Sequence, residues 1–339
     1  LLKKASSYHV DSIAAGGQGH ALKKAQTRIS RRQYGIWPIH REKEEQQSMY
    51  YEGPIYRPPS EADSLLIQAT VGCPHNKCTF CMVYKKGPPY KVRPVSDIKA
   101  DLEEARRDYG GGIRSIFFPA GNTIAMPTED LAAICIHAHA LFPHLERITV
   151  YGSSQYIHRK GLSDLIKLRQ AGLTRIHVGL ESGDDVVLRR IKKGTTTQEQ
   201  IEAGQWVMAA GIELNEYVMI GIGGRERSRE HALLTAKALN AIDPDFIRIR
   251  TFLPKINTLL LHQIRSGRFQ VLSPHEALRE SAEIIRNLDV TSQVVSDHYT
   301  NYVDVHGKIP QDQQRMLRTI ESALQMGEEM FRPVYVGTQ

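Results

Sequence analysis

Cysteine is scarce in this chain: there are four in 339 residues, and three of them, Cys73, Cys78 and Cys81, fall within nine positions. A secreted disulfide scaffold spreads more cysteines over a shorter chain, so that class is excluded, and the cluster reads as metal binding in a reducing compartment. No run approaches the roughly 18 consecutive apolar residues that a membrane span needs, so no membrane role is expected. Acidic residues are nearly missing from positions 1–41. There Lys3, Lys4, Lys23, Lys24, Arg28, Arg31, Arg32 and Arg41 face only Asp11, so this stretch carries the whole formal charge of +7 and residues 42–339 balance to zero. A nucleic-acid footprint would place basic charge on a folded face rather than in one arm, so the basic composition is weak support for RNA binding. The amino end also lacks the apolar core of a signal peptide. The expected location is cytoplasmic, although a basic, acid-poor start containing Ser6, Ser7 and Ser30 also matches an organelle transit segment. The chain begins at Leu1 rather than Met, as a truncated or processed chain would.

Residues 1–60 show no clean periodicity and read as an irregular basic arm or cap, with a short helix around Ala21–Arg31. From residue 64 short apolar strands alternate with helical stretches, the signature of βα units and a parallel sheet. Strands are expected at Leu65–Thr70, Ser115–Pro119, Arg147–Tyr151, Arg175–Leu180, Leu214–Gly221 and Phe246–Thr251. Helices are expected near Val95–Tyr109, Thr128–Phe142, Leu162–Ala171, Thr197–Ala210 and Arg227–Asn240. Six such strands suit an α/β fold with a partial (β/α)6 TIM-like barrel over residues 61–255. Ala171-Gly172-Leu173 and Ala210-Gly211-Ile212 each lead from a helix into a strand, a repeated βα module. After residue 255 the pattern loosens into an α+β cap over 256–339. It holds helices near Pro274–Asn287 and Gln311–Met326 around a strand at Val290–Val295, and it is expected to contribute to the substrate site.

The three cysteines follow the first of these strands as Cys73-Pro74-His75-Asn76-Lys77-Cys78-Thr79-Phe80-Cys81. Thiolates suit iron–sulfur clusters and zinc. Three thiolates satisfy three irons of a [4Fe–4S] cube and leave the fourth iron open to a reactive ligand. A structural zinc site would need a fourth donor, for which His75 lies in the loop but directly after Pro74. A plant-type [2Fe–2S] ferredoxin shares the C-x4-C-x2-C spacing and would need Cys135. Yet Leu131, Ile134, Cys135, Ala138 and Leu141 form one helical stripe, which reads Cys135 as core. Three unligated loop cysteines are the remaining alternative.

With the motifs after the later strands, the sequence resembles the radical S-adenosylmethionine superfamily over residues 50–310. The subgroup it is most similar to contains oxygen-independent coproporphyrinogen oxidase and the Elongator catalytic subunit. The commonest family spacing has one residue fewer between the first two cysteines. The resemblance implies a [4Fe–4S] cluster on Cys73, Cys78 and Cys81, with Phe80 near the adenine of S-adenosylmethionine. It implies further cofactor contacts from Gly121 and Asn122 in Pro119-Ala120-Gly121-Asn122, where Asn122 replaces the usual acid, and from Ser153 after the third strand. Glu181 in Gly179-Leu180-Glu181-Ser182-Gly183 would take ribose hydroxyls or the ammonium, Lys193 the methionine carboxylate, and Gly221 would let the backbone approach the adenine. The implied activity is cleavage of S-adenosylmethionine to a 5′-deoxyadenosyl radical that abstracts hydrogen from a substrate, with a reductant such as flavodoxin or ferredoxin. The alternatives are a tRNA-modifying relative and a non-catalytic iron–sulfur redox module.

The expected substrate is a small molecule. Ser296, Asp297, His298, Tyr299, Asn301 and Tyr302 form a polar and aromatic loop, in which His298 or Tyr299 could deliver a proton or hydrogen atom. Arg248 and Arg250 share one face of the sixth strand and would bind an anionic substrate if that face points inward. A methylthiotransferase would need a second cysteine set, and a cobalamin-dependent type an amino-terminal domain larger than residues 1–60; neither is expected.

Overall fold

A computed structural model describes residues 49–337; the basic stretch 1–41 and the helix expected around Ala21–Arg31 lie outside the described residues. The elements, in chain order, are β1 Leu65–Leu66, β2 Thr70–Val71, β3 Lys91–Val92, α1 Val95–Tyr109, β4 Ser115–Phe118, α2 Thr128–Leu141, β5 Arg147–Gly152 and α3 Ser154–Gln170. They continue with β6 Arg175–Glu181, α4 Asp185–Arg190, α5 Thr197–Ala209, β7 Glu213–Ile220, α6 Ser228–Ile242, β8 Phe246–Thr251, α7 Leu259–Arg265, α8 Pro274–Arg286, β9 Gln293–Val295, β10 His306–Lys308 and α9 Gln313–Leu324.

The main sheet runs β1-β4-β5-β6-β7-β8-β9-β10. Every neighbouring pair from β1 to β9 is parallel, and only β10 runs antiparallel, against β9. Strands adjacent in the chain are thus adjacent in the sheet with helical crossovers between them, which is the partial TIM-like fold expected from the alternation. The order has two ends, β1 and β10, so the sheet stays open. One strand face (Ile148, Val150, Ile176, Val178, Leu180, Leu214, Val218, Ile247) is fully buried in the apolar core it shares with the surrounding helices. The opposite face carries polar and aromatic groups.

Local chemistry explains the element ends. α5 and α8 begin in capping boxes, Thr196 with Glu199 and Ser273 with Glu276, which satisfy helical N–H groups that have no partner inside the helix. α3 and α5 both end in Ala171 or Ala210 followed by a glycine at positive φ, Gly172 and Gly211, so the repeated βα module is real.

The differences from expectation have physical causes. The strand expected over Leu65–Thr70 leaves the main sheet after Leu66, because the Gln68 amide pairs with the Glu52 backbone at 2.7 and 2.8 Å, and Thr70–Val71 then pairs with Lys91–Val92. α3 begins at Ser154 rather than Leu162 and is interrupted at Gly161, whose φ of 73° is non-helical. The tail strand β9 pairs in parallel with β8 and β10 follows it antiparallel, so the sheet runs two strands beyond the six expected. Among the described residues no helix is long and apolar enough to cross a membrane.

Candidate active site

The cysteine loop leaves β2 through Gly72, at φ +69°, where a Cβ would lie 2.9 Å from the Pro88 carbonyl oxygen. The loop is tied at its far end by Thr79, whose N–H donates to the Ile191 carbonyl at 2.8 Å and whose carbonyl accepts from Leu260 N–H at 3.0 Å. α4 and α7 therefore fix the position of Cys78 and Cys81. All three cysteines are unbridged and half-buried. Burial pushes the Cys78 thiol up to about 11, opposed by the charge of Lys193, and raises Cys81 as well. Three unpaired thiols held by backbone, with no disulfide among them, are a donor set suited to soft iron.

His75 does not turn toward the thiols. Its Nε2 lies 2.7 Å from the Lys192 carbonyl oxygen, which can only accept, so Nε2 carries the proton. A Cβ on Gly194 would sit 2.5 Å from the His75 ring. His75 is thus a strut that docks the Lys192-Lys193-Gly194 turn on the cysteine loop. Cys135 is fully buried on α2 among Leu131, Ile134 and Ala138, its thiol pushed up to about 12 by burial, as the helical stripe implied.

The docked turn carries Lys193 inward, where its Nζ donates to Glu181 Oε1 at 3.0 Å. Glu181 ends β6 at φ +64°, with a bulge in the pairing between Gly179 and Glu181. A Cβ on Gly179 would lie 2.3 Å from Glu181 Oε1 and 2.8 Å from Lys193 Nζ, so glycine makes the cradle for this pair. Lys193 also lies within electrostatic range of Cys78 and Glu216. Burial holds the Glu216 carboxyl well above its ordinary range, and one of its oxygens has no partner.

Gly121 meets the cysteine loop directly. Its N–H donates to Gly72 O at 3.0 Å, and a Cβ there would stand 2.6 Å from Cys73 Cβ and 2.7 Å from the Tyr84 ring. The next residue, Asn122, is buried and donates to Ser153 Oγ at 2.8 Å while its own Oδ1 has no partner. Phe80 packs with Val187, Ile191, Ile222, Leu260 and Phe269 in a second apolar cluster, beside the turn that starts at Gly221. Gly221 has φ +80°, and its N–H donates to Glu280 Oε1 at 2.6 Å.

Glu280 belongs to a chain of buried groups that the sequence reading missed. Asp184 N–H donates to Ser182 Oγ at 3.0 Å, and Ser182 Oγ lies 2.8 Å from His231 Nδ1. His231 Nε2 faces Glu280 Oε1 at 3.4 Å, and Ser228 Oγ donates to Glu280 Oε2 at 2.5 Å. Burial lowers His231 to about 4 and raises Glu280 to about 7. These residues join the turn after β6 to the turn after β7 through α6 and α8. No motif spacing marks them, because they are far apart in the chain and meet only through packing.

His298 and Tyr299 form a separate group around β8. Arg250 Nη2 lies 3.0 Å from His298 Nε2, while Nδ1 accepts from Thr300 N–H at 3.2 Å and lies 2.7 Å from Thr300 Oγ1. Burial and the charges of Arg250, Lys255, Arg248 and Arg332 push His298 down to about 3. At neutral pH the ring is therefore uncharged. Tyr299 is 54% exposed, and its hydroxyl accepts from Lys255 Nζ at 3.4 Å.

The radical SAM superfamily profile matches residues 67–236, half of the chain, and this span contains the cysteine loop, Gly121, Asn122, Ser153, Glu181, Lys193 and Gly221. Among curated proteins the chain is 24% identical to a tRNA-2-methylthio-N(6)-dimethylallyladenosine synthase of Dehalococcoides mccartyi over 61% of this chain and 49% of that one. It is 28% identical to a biotin synthase of Hydrogenobaculum over 58% and 57% of the two chains. It thus spans about half the length of each. Among solved structures it is similar to coproporphyrinogen III oxidase from Escherichia coli, with a TM-score of 0.49, 16% identity and coverage of 66% and 50%. The profile match over the segment that builds the cysteine loop and its opposing turns shows that this chain belongs to the radical SAM superfamily, whose members are enzymes that use a [4Fe–4S] cluster and S-adenosylmethionine.

Proposed function

We propose that Cys73, Cys78 and Cys81 hold a [4Fe–4S] cluster and that S-adenosylmethionine lies against the strand-end turns opposite it, with a small molecule as the substrate. Bound there, cluster and cofactor would supply the radical chemistry for hydrogen abstraction from the substrate. The protein's part is binding, orientation and exclusion of side reactions. The Lys193 ammonium suits a carboxylate, and Glu181 suits hydroxyls or an ammonium. Asn122 Oδ1, buried without a partner, accepts a further donor beside Ser153. Phe80 and the Gly221 turn provide an apolar shelf for a flat ring.

The observation that carries this reading is the docking of the Lys193 turn on the cysteine loop through His75, which puts the Lys193–Glu181 pair beside Cys78. Anaerobic reconstitution tests it. Wild type should take up about four irons per chain, and each Cys→Ser variant at 73, 78 or 81 should lose most of them. Reduced wild type should then release 5′-deoxyadenosine from S-adenosylmethionine. A full cluster that never yields that product would leave an iron–sulfur redox module and end the radical assignment.

A further inference from the structure

The inward face of β8 carries two arginines, and the charges around them do not balance. Arg248 is 8% exposed; its Nη1 pairs with Asp297 Oδ1 at 3.3 Å, and its Nε is buried without a partner. Among the described residues, Arg250 hydrogen-bonds to the neutral His298 and to no carboxylate. Lys255 Nζ meets the Tyr299 hydroxyl at 3.4 Å, and Arg332 donates to the Thr300 carbonyl and lies over the Tyr302 ring at 4.4 Å, its Nε and Nη1 unpartnered. Four cations thus face His298, and among the described residues Asp297 is the one carboxylate paired with any of them. Next to Arg248 in the sheet stands Tyr217, whose buried hydroxyl also lacks a partner. The His177 ring lies 5.8 Å from that of Tyr217, and its Nδ1 is unpartnered as well.

Buried donors without partners are costly, and an arginine fork is suited to two oxygens of one anion. We infer that Arg248 Nε, Arg250 and the Tyr217 hydroxyl form a subsite for an oxyanion group, carboxylate or phosphate, of a small organic substrate. A small molecule is favoured over RNA because Arg248 is almost wholly buried, where a polymer backbone does not reach. As the substrate subsite of a radical enzyme, this assignment rests on the function proposed above; as an anion site it does not.

Binding measurements on the cluster-reconstituted full chain separate the two. Benzoate and phenyl phosphate, titrated calorimetrically at fixed ionic strength, should bind saturably, and benzamide at least tenfold more weakly. The better of the two anions names the substrate's charged group. Arg248→Gln should lose at least tenfold in anion affinity, Arg250→Gln likewise, and Arg318→Gln, which removes the same charge from an exposed position on α9, should change nothing. Circular dichroism of each variant shows that it is folded, and if R248Q does not fold, R250Q carries the comparison. The inference fails if benzoate and phenyl phosphate bind no better than benzamide, or if the folded variants bind them like wild type. It fails equally if mixed tRNA binds through Arg248 while the small anions do not. If the anions bind through Arg248 but 5′-deoxyadenosine never forms, the reaction is wrong and the anion site stands. If 5′-deoxyadenosine forms and the anions do not bind, the anion site alone falls.

Discussion

Gly121 shows how a single position can hold the site together. Its Cα faces Cys73 Cβ, the Tyr84 ring and the Gly72 carbonyl so closely that a methyl group would lie 2.6 to 2.9 Å from all three. The Cys73 neighbour is backbone-proximal and cannot swing away. Gly121→Ala should therefore displace the loop, at a cost typical of overpacking, about 1–3 kcal/mol. Iron retained after reconstitution should fall well below wild type while urea unfolding remains a single cooperative transition. Iron retention equal to wild type would show that the loop yields freely. The family resemblance marked Gly121, but as a cofactor contact; that it also abuts Cys73 appears only once the turns after β2 and β4 meet through Gly121 N–H and the Gly72 carbonyl. Glu181 and Lys193 were legible through their order along the strands, although their hydrogen bond was not. His75 was weighed as a zinc donor because spacing cannot show that its Nε2 meets Lys192 across the fold.

At the scale of elements, α6 and α8 tie together the turns after β6 and β7 through His231 and Glu280. The two groups titrate with opposite signs. Glu280 is raised from 4.5 to about 7, so it favours the folded state below 4.5, and that contribution is lost as pH rises to 7. His231 is lowered from 6.5 to about 4, so its contribution is present above 6.5 and is lost as pH falls toward 4. Between 4.5 and 6.5 the two slopes oppose each other. Glu280→Gln removes one of them, so the variant should gain stability relative to wild type as pH climbs from 4.5 to 7, by about 3 kcal/mol in order of magnitude. Urea unfolding of both proteins across that range measures the difference, and a pH-independent gap would mean that Glu280 is not buried uncharged. Most elements were legible because strands and long helices carry a clear period. α4 and α7 were not, since six or seven residues are too few to display 3.6-residue periodicity. The first half of α3 was hidden by the break at Gly161.

Across the whole molecule, the sheet is anchored at the end opposite the site. Glu61, on a short turn before β1, is fully buried and receives Arg175 Nη1 at 2.9 Å, His177 Nε2 at 3.2 Å and Ser64 Oγ at 2.7 Å, with Arg147 Nη2 at 3.6 Å. Arg147 and Arg175 are the first residues of β5 and β6, whereas Ser153 and Glu181 stand at the far ends of those strands. Parallel strands therefore separate a structural end from a chemical one. Burial alone would raise the Glu61 carboxyl, but hydrogen bonds from His177 and Ser64 and the nearby Arg147 bring it down to about 2. Its stabilising contribution is complete above 4.5 and is lost as pH falls toward 2. Glu61→Ala leaves two arginines short of a buried partner and should cost about 3–5 kcal/mol at neutral pH. The gap to wild type should narrow below pH 4.5, and iron uptake by the folded variant should match wild type because the cysteine loop lies at the other end. A variant that unfolds normally yet takes up no iron would refute the separation of the two ends.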